Sequence, residues 1–497
     1  MQNTKNFYEL LGITPSASIE DIRQAFHLAA RRYHPDVNLK PNASDRFIQI
    51  KEAFEILSNP AKRADYDRSI LMNSQDEFIN YTVLYSRSHI PAIPENQLIY
   101  ALLDIYPGKA TIDEAPKSPP LNIVIILDNS TSMKGTRLQA IKNSAIEIVQ
   151  KLKPHDILSI VTFNDTSRVI IPAGKADDIR KLESEILRIQ THGGTEIYMG
   201  MLSGFNEARK YLSSKYHNHM ILITDGRTYG DEEACLDLAD QCASLGITIS
   251  CLGIGTEWND EFLDDMAKRT GGTSKYISSS KELSEFLIDM FDGLEQTIAT
   301  RIEFSFNLAK RVELVYAFRL KPDLGVLPTS SPIQLGSCPK DSLQRILFEF
   351  QLPPIPSGTN KKKILDGFLK YDMPNTSEFN KRIPVSLSCD VSNTIISDST
   401  PPPLIVESMS KLTLYRMQEQ AKKLVEDGDI ESAKEKLQYV ATHLFSKGEH
   451  DLAKTVVMEV DNLEKQNIVS EAGKKVIKYG TRALLLSAGK ISEGNHD

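Results

Sequence analysis

One apolar segment constrains the fold of this chain more than any other. Residues 121–127 read LNIVIIL, and the run ends at the polar pentad DNSTS, residues 128–132. A run of branched apolar residues without alternation is typical of a strand buried on both faces of a parallel sheet. Ligands of such sheets bind beyond the carboxyl ends of the strands. We therefore predict that Asp128, Ser130 and Ser132 lie where an α/β sheet keeps its binding site.

The side chains of this pentad favour a cation as the ligand. One carboxylate and two hydroxyls are hard oxygen donors, which suit a divalent ion such as Mg2+. The alternative is a helix N-cap, because Asp and Ser are both good capping residues. The pentad by itself leaves both interpretations open.

Two further polar side chains are predicted at the same sheet edge. In residues 121–297 strand and helix patterns alternate, which implies a parallel sheet with right-handed crossovers. Thr195 follows a pair of glycines, whose lack of side chains lets the backbone approach a ligand closely. Asp225 follows a second buried strand, residues 220–223. We expect Thr195 and Asp225 to meet Asp128 at this edge.

The motifs DxSxS, GGT and TDG, in this order and strand context, resemble those of the von Willebrand factor A domain with its metal-ion-dependent adhesion site. The resemblance implies a doubly wound parallel sheet with Mg2+ or Mn2+ as cofactor. It also implies one coordination position that a carboxylate of a protein partner fills. The implied metal ligands are Asp128, Ser130, Ser132, Thr195 and Asp225, of which the two carboxylates bind directly or through water. The alternative is a degenerate domain that binds no metal.

The first 70 residues predict a pair of helices. Residues 18–33 carry an apolar stripe at helical spacing, and a second stripe occupies residues 47–57. Pro35 should end the first helix near His34, because proline disfavours helical geometry in the residue before it. The tripeptide His34-Pro35-Asp36 therefore begins the connection between the helices.

This region resembles a J domain in its HPD tripeptide, in YELLG at residues 8–12 and in RADYD at residues 63–67. The resemblance implies docking on a DnaK-type chaperone ATPase and stimulation of its ATP hydrolysis. Asp36 would pair with a basic group of that partner, and the arginines of the first helix would face its acidic surface. The implied contact residues are His34, Pro35, Asp36, Arg23, Arg31 and Arg32.

The remaining chain predicts a multidomain protein of mixed α+β and α/β class. Residues 1–70 form the J domain and residues 121–297 the metal domain. Strand patterns in residues 78–117 and 298–400 predict two parts of one β-sandwich into which the metal domain is inserted. Two independent β regions are the alternative. Residues 405–490 predict a helical bundle, with a peptide-binding groove as the alternative.

Composition limits the classes of function. A net charge of −8 and a pI near 5.8 argue against a general nucleic-acid binder. Five cysteines without a CxxC pair indicate buried thiols in a reducing cytoplasm. No apolar stretch is long enough to span a membrane, and no signal peptide is expected.

The combination of motifs predicts a co-chaperone. The metal domain would capture a client through an acidic residue, while the J domain recruits the chaperone ATPase. The alternative is a metal-dependent scaffold for a multiprotein complex without chaperone activity. We do not expect an enzyme, because the sequence lacks a GxSxG nucleophile elbow and a Walker-type GK[ST] loop. A hydrolase that uses the metal to activate water is a third hypothesis.

Overall fold

The computed structural model describes residues 7, 11, 19–33, 43–59, 62–63, 78–108, 119–228, 230–340, 342–393, 401–446, 448–466 and 468–487. The chain divides into two compact units, residues 1–82 and 83–497.

The first unit contains the predicted pair of helices, α1 (Ile19–Tyr33) and α2 (Ala43–Leu57). Their apolar faces pack together, with Ile22, Ile50 and Ala53 almost completely buried. The rings of Phe26 and Phe54 stack with centroids 4.1 Å apart. The spacing of apolar residues thus predicted this core correctly. His34, Pro35 and Asp36 lie outside the described residues.

The second unit contains a six-stranded sheet. Its strands are β4 (Leu121–Asp128), β5 (Ile157–Phe163), β6 (Ser167–Lys175), β7 (His217–Thr224), β8 (Thr248–Ile254) and β9 (Ser274–Ile277). Their order in the sheet is β6-β5-β4-β7-β8-β9, and all neighbouring strands are parallel except β6, an edge strand antiparallel to β5. The helices are α3 (Thr136–Lys151), α4 (Ile179–Leu187), α5 (Ile197–Arg209), α6 (Glu232–Leu245), α7 (Asp260–Arg269) and α8 (Ser280–Glu295).

Strand β4 is buried on both faces, as its apolar run predicts. Ile123 and Ile125 pack in the core beneath α3 and α8, whereas Val124 and Ile126 pack in the core beneath α5 and α6. Every residue of the strand is buried. The doubly wound sheet is therefore confirmed, with β4 at its centre.

The strands that flank this α/β insertion in the sequence form two five-stranded sheets. Strands β1 (Ile79–Tyr85), β2 (His89–Pro91) and β3 (Gln97–Pro107) precede the insertion. Strands β10 (Thr297–Leu308), β11 (Glu313–Lys321), β12 (Gly325–Leu327), β13 (Ile333–Pro339), β14 (Gln344–Leu352), β15 (Lys361–Met373) and β16 (Glu378–Ser392) follow it. The strand orders are β1-β3-β14-β11-β12 and β13-β10-β15-β16-β2. Because β3 pairs with β14 along its length, the two segments form one sandwich, and the alternative of two independent β regions is wrong.

Four C-terminal helices form the predicted bundle: α9 (Pro403–Glu426), α10 (Ile430–Ser446), α11 (His450–Gln466) and α12 (Glu471–Ser487). Ala433 and Ala453 are fully buried where α10 and α11 pack in its core. Gly428 and Gly448 precede these helices with φ angles of +81° and +80°. Glycine adopts this left-handed conformation without steric cost, so each of the two residues allows the turn from one helix to the next.

All five cysteines are buried free thiols, as their spacing predicts. None of the helices in the described ranges combines the length and hydrophobicity needed to cross a bilayer.

Candidate metal centre

Strand β4 delivers a fully buried carboxylate to the edge of the sheet. Oδ1 of Asp128 accepts a hydrogen bond of 2.8 Å from the backbone N–H of Ser130. Oδ2 accepts one of 2.6 Å from the hydroxyl of Thr224, the last residue of the neighbouring strand β7. Oδ1 is therefore held by the local turn after β4, and Oδ2 by a residue that the parallel pairing of β4 and β7 brings beside it.

Asp225, one residue beyond β7, joins the same cluster. Its Oδ1 accepts a hydrogen bond of 2.6 Å from the hydroxyl of Ser132, which lies 2.9 Å from the hydroxyl of Ser130. A Cβ atom built on Gly226 would lie 3.0 Å from Oγ1 of Thr195, so the glycine permits this close approach. Hydrogen bonds thus connect Ser130, Ser132 and Asp225, Asp128 is bonded to the backbone of Ser130, and Thr195 lies beside Gly226, the residue after Asp225.

The pentad is not a helix N-cap. The N-cap of α3 is Gly135, which has no side chain, and α3 begins only at Thr136. Ser130 precedes a short 3-10 helix at Thr131–Met133, but its side chain makes no capping hydrogen bond. The hydroxyls of Ser130 and Ser132 point instead toward each other and toward Asp225, which favours the cation-site interpretation.

A loop from the start of α5 covers one side of the cluster. The carbonyl oxygen of Gly193 accepts hydrogen bonds from the backbone N–H and the hydroxyl of Thr131, at 3.2 and 3.0 Å. Gly193 has a φ of +74°, which a side chain would strain. These bonds fix the loop that carries Thr195. The GGT motif therefore positions the hydroxyl of Thr195, in addition to letting the backbone approach a ligand closely.

The side-chain amides of Asn129 and Asn164 also hold this loop, at Gln190 and His192. The side-chain amide of Asn164 donates to Nε2 of His192 at 3.0 Å, and the amide of Asn129 donates to the carbonyl of Gln190 at 2.9 Å. The sequence analysis did not assign His192 or Asn164 to the site. Both belong to loops that follow strands or precede helices, but no short motif marks them.

The charges at the cluster are incompletely balanced. Burial raises the pKa of the Asp128 carboxyl above its usual value, against the opposing effect of the hydrogen bonds from Ser130 and Thr224. Asp225 is fully buried and accepts a charged hydrogen bond of 2.5 Å from Nη1 of Arg137, whose side chain is 42% exposed. Arg137 was not predicted to contribute to the site, because 88 residues separate it from Asp225.

The donor set fits a small divalent cation. It offers two carboxylates and three hydroxyls, all hard oxygen ligands, at a position that is buried on the Asp128 side and exposed at Ser132. Within the described ranges, no group of three or more His, Cys, Asp or Glu side chains is arranged to hold a metal. A cation here would therefore depend on serine and threonine oxygens for part of its coordination.

The predicted chaperone contact residues belong to the first unit. Arg23 is an exposed residue of α1, and Arg31 and Arg32 lie in the last turn of the same helix. Arg31 and Arg32 are separated from the tripeptide at residues 34–36 by Tyr33 alone, whereas Arg23 lies eight residues before Arg31.

Family models match three regions of the chain. Residues 6–67 match the DnaJ domain, residues 122–289 the von Willebrand factor type A domain, and residues 403–487 the Sll0103-like C-terminal alpha-helical domain. An uncharacterized protein of Synechocystis sp. is 26% identical over 345 residues, which cover 67% of this chain and 80% of the relative. The chaperone protein DnaJ of Thermosynechococcus vestitus is 48% identical over 64 residues, or 13% of this chain and 17% of that protein.

Two solved structures share the fold of the second unit. A von Willebrand factor type A protein from Catenulispora acidiphila superimposes with a TM-score of 0.66 at 15% identity, over 82% of this chain and 98% of that one. The ArnB paralog VWA2 of Sulfolobus acidocaldarius gives a TM-score of 0.52 at 17% identity, with the same coverage. The chain therefore carries an N-terminal DnaJ domain, a central von Willebrand factor type A domain and a C-terminal helical domain.

Proposed function

We propose that this protein is a co-chaperone adaptor with two arms. The DnaJ domain recruits a DnaK-type chaperone ATPase and stimulates its ATP hydrolysis through His34, Pro35 and Asp36. The von Willebrand factor type A domain binds a protein client through a divalent cation. The observation that carries the proposal is the carboxylate–hydroxyl cluster at the sheet edge of a chain that also has a DnaJ domain.

In the proposed site, Asp128 and Ser130 form the buried floor and Ser132 the exposed rim. Asp225 and Thr195 complete the set from two neighbouring loops. A bound Mg2+ or Mn2+ would have one open coordination position, which a carboxylate of the client can fill. The chain's own residues hold the cation and leave one side of it accessible, because Ser132 faces solvent.

We propose binding rather than catalysis, and a protein rather than nucleic acid as the partner. The net charge of −8 disfavours the phosphate backbone of DNA or RNA. A DnaK-type partner and five buried free thiols both agree with a cytoplasmic protein. In this proposal the strands and helices of the α/β domain hold the metal ligands in place while the client binds.

The chaperone arm is tested with the Asp36→Asn variant of the full chain and a purified DnaK-type ATPase. We expect stimulation of ATP hydrolysis to be lost, because the variant removes the charge proposed to pair with the ATPase. Glu52→Gln is the matched control, since Glu52 is an exposed acidic residue on α2. Equal stimulation by Asp36→Asn and the unaltered chain would contradict the proposed role of Asp36, and no stimulation by the unaltered chain would support a scaffold without chaperone activity.

The metal arm is tested by titrating Mn2+ into the full chain and following the heat of binding. We expect one site, which Thr195→Ala weakens because a ligand hydroxyl is removed. Thr136→Ala is the control, because it deletes an exposed hydroxyl at the first residue of α3 outside the cluster. If the unaltered chain and the Thr195→Ala variant bind Mn2+ equally, the proposed ligand set is wrong.

A further inference from the structure

Arg137 stands out among the groups at the sheet edge because it occupies an unfavourable place. It is the second residue of α3, and the N-terminus of a helix carries partial positive charge that disfavours a cation. No acidic residue lies in the first turn of α3 to offset this charge. The charged hydrogen bond to the buried carboxylate of Asp225 is the interaction that compensates for this position.

The two oxygens of Asp225 are held by donors of different kinds. The hydroxyl of Ser132 donates to Oδ1 at 2.6 Å, and it keeps lone pairs with which it could also bind a cation. The guanidinium of Arg137 donates to Oδ2 at 2.5 Å and has no lone pair to offer. Of the two, only Arg137 must give way if Oδ2 is to turn toward a divalent ion.

A cation and Arg137 would also repel each other across the same carboxylate. Like charges a few ångströms apart interact strongly at a site from which water is largely excluded. Asp225 is fully buried, whereas Arg137 is 42% exposed and has solvent into which it can move. Its other terminal nitrogen lies beside Gly255, where a Cβ atom would be 3.0 Å away. The glycine therefore leaves room for the guanidinium at the end of β8.

We propose that Arg137 is a built-in competitor of the divalent cation: it neutralises Asp225 when no metal is bound and sets the affinity of the site. The inference rests on the proposed metal-binding function. It assigns to Arg137 the role of an affinity-determining residue that is not itself a ligand. The site then favours ions whose charge density is high enough to displace a guanidinium from a carboxylate.

The experiment is a comparison of Mn2+ affinity between the full chain and its Arg137→Gln variant by titration calorimetry. We expect the variant to bind Mn2+ roughly tenfold more tightly, because the competing charge is gone. Lys134→Gln is the matched control: it removes an exposed positive charge close to Ser132, and it should change the affinity by less than about threefold. Equal or weaker binding by Arg137→Gln than by the unaltered chain overturns the proposal.

Thermal unfolding gives a second readout. Without metal, Arg137→Gln should melt at a lower temperature than the unaltered chain, because Asp225 is left buried and unpaired. Saturating Mn2+ should then raise the melting temperature more in the variant than in the unaltered chain, in line with its tighter binding. A smaller rise in the variant contradicts the competition.

Arg137→Lys keeps the inference testable if the glutamine variant does not fold. Lysine retains the charge but lacks the planar fork of arginine, so we expect a modest gain in Mn2+ affinity, about threefold. An affinity equal to that of the unaltered chain overturns the proposal. If neither the unaltered chain nor either Arg137 variant binds Mn2+, the proposed metal-binding function fails as well. If all bind equally, the inference on Arg137 alone fails.

Discussion

Two groups of buried carboxylates in the second unit are neutralised to very different degrees. At the sheet edge, the carboxylates of Asp128 and Asp225 lie close together. Among the described residues, one cation pairs with them: the half-exposed Arg137, which is bonded to Asp225. Where α7 packs against α12, the single carboxylate of Asp264 is paired with both Lys478 and Arg482, at 2.8 and 2.7 Å.

The pKa values of these carboxyls move in opposite directions. Burial raises the pKa of Asp128, and the adjacent charge of Asp225 adds to the increase. Burial also opposes ionisation of Asp264, but the charges of Arg482 and Lys478 outweigh it and hold its pKa well below the usual range. A carboxylate with two buried cations is a structural element, whereas the two carboxylates with one half-exposed cation are the pair that we propose as metal ligands.

The largest expected effect on the free energy of unfolding comes from removing the charge of Asp264. Asp264→Asn should destabilise the second unit by about 3–5 kcal/mol, because it leaves the buried Arg482 without its counter-ion and leaves Lys478 with Asp260 as its remaining carboxylate partner. Urea unfolding followed by tryptophan fluorescence measures this directly. Trp258, the single tryptophan of the chain, is buried with its ring centroid 5.8 Å from that of Tyr479 on α12.

Asp265→Asn is the matched control for this prediction. Asp265 is the next residue on α7, but its side chain is 39% exposed and its partner Arg269 lies 3.2 Å away on the surface. Its loss should cost less than about 1 kcal/mol. If the two variants unfold at the same urea concentration, the buried pairing at Asp264 is not the stabilising interaction that we infer.

The comparison also shows what the sequence could reveal. The buried run of β4 and the motifs around Asp128, Thr195 and Asp225 predicted a sheet edge and five of its polar groups, because each motif is local and follows a strand. Arg137 was missed because its partner lies 88 residues away, and nothing in a helix start distinguishes one arginine from another. The two carboxylates could be predicted from the sequence, but the cation that pairs with Asp225 could not.

The same limit explains the other missed features. The stretch KKVIKYGTR at residues 474–482 has the composition of an ordinary exposed helix face, yet Lys475 and Lys478 are buried there. Only the packing of α12 on α7 makes these charges internal. Strand β9 was missed because its sequence, SKYI, is short and mostly half-exposed at the edge of the sheet. Tertiary contacts, rather than local pattern, decide both cases.

Acid should separate two kinds of buried titratable group. His217 and His219 lie on β7, and burial lowers their pKa values to about 4 and about 3. Because the unfolded chain binds these protons near pH 6.5, stability falls as the pH drops below 6.5 toward those values. At pH 5 the loss is about 2 kcal/mol for each histidine. The depressed pKa of Asp264 contributes nothing in this window, since its stabilisation is lost only below about pH 4.

A double variant, His217→Leu with His219→Leu, should therefore flatten the decrease in unfolding free energy between pH 7 and pH 5. The slope against pH, rather than the absolute stability, is the quantity to compare, because the leucines also change core packing. His155→Gln provides the control, since His155 is 53% exposed. An acid sensitivity that survives in the double variant would place its origin outside β7.

The smallest of the three effects tests the buried amine of Lys475, for which the described part of the chain provides no ion-pair partner and which Asp260 and Glu471 influence only from a distance. Nζ of Lys475 donates to the carbonyl oxygens of Thr256 and Trp258 and lies 4.7 Å from the centre of the Trp258 ring. Burial lowers the pKa of this amine, so carbonyl dipoles and the aromatic face compensate it only in part. Lys475→Met should cost about 1–3 kcal/mol, because two buried carbonyls lose their donor.

Lys474→Met separates this packing role from surface charge. Lys474 is the preceding residue of α12 and pairs with Glu471 at 2.9 Å on the surface, so its loss should change the unfolding free energy by less than about 1 kcal/mol. The emission of Trp258 provides a second measurement, because Lys475 lies over its ring whereas Lys474 pairs with Glu471 on the surface. If Lys475→Met leaves both the emission and the urea midpoint unchanged, the contact of Lys475 with these carbonyl oxygens and with the Trp258 ring does not stabilise the fold. Asp264 has two ion-pair partners, Asp225 has one and Lys475 has none among the described residues. That order would then not be reflected in the contributions of these groups to the free energy of unfolding.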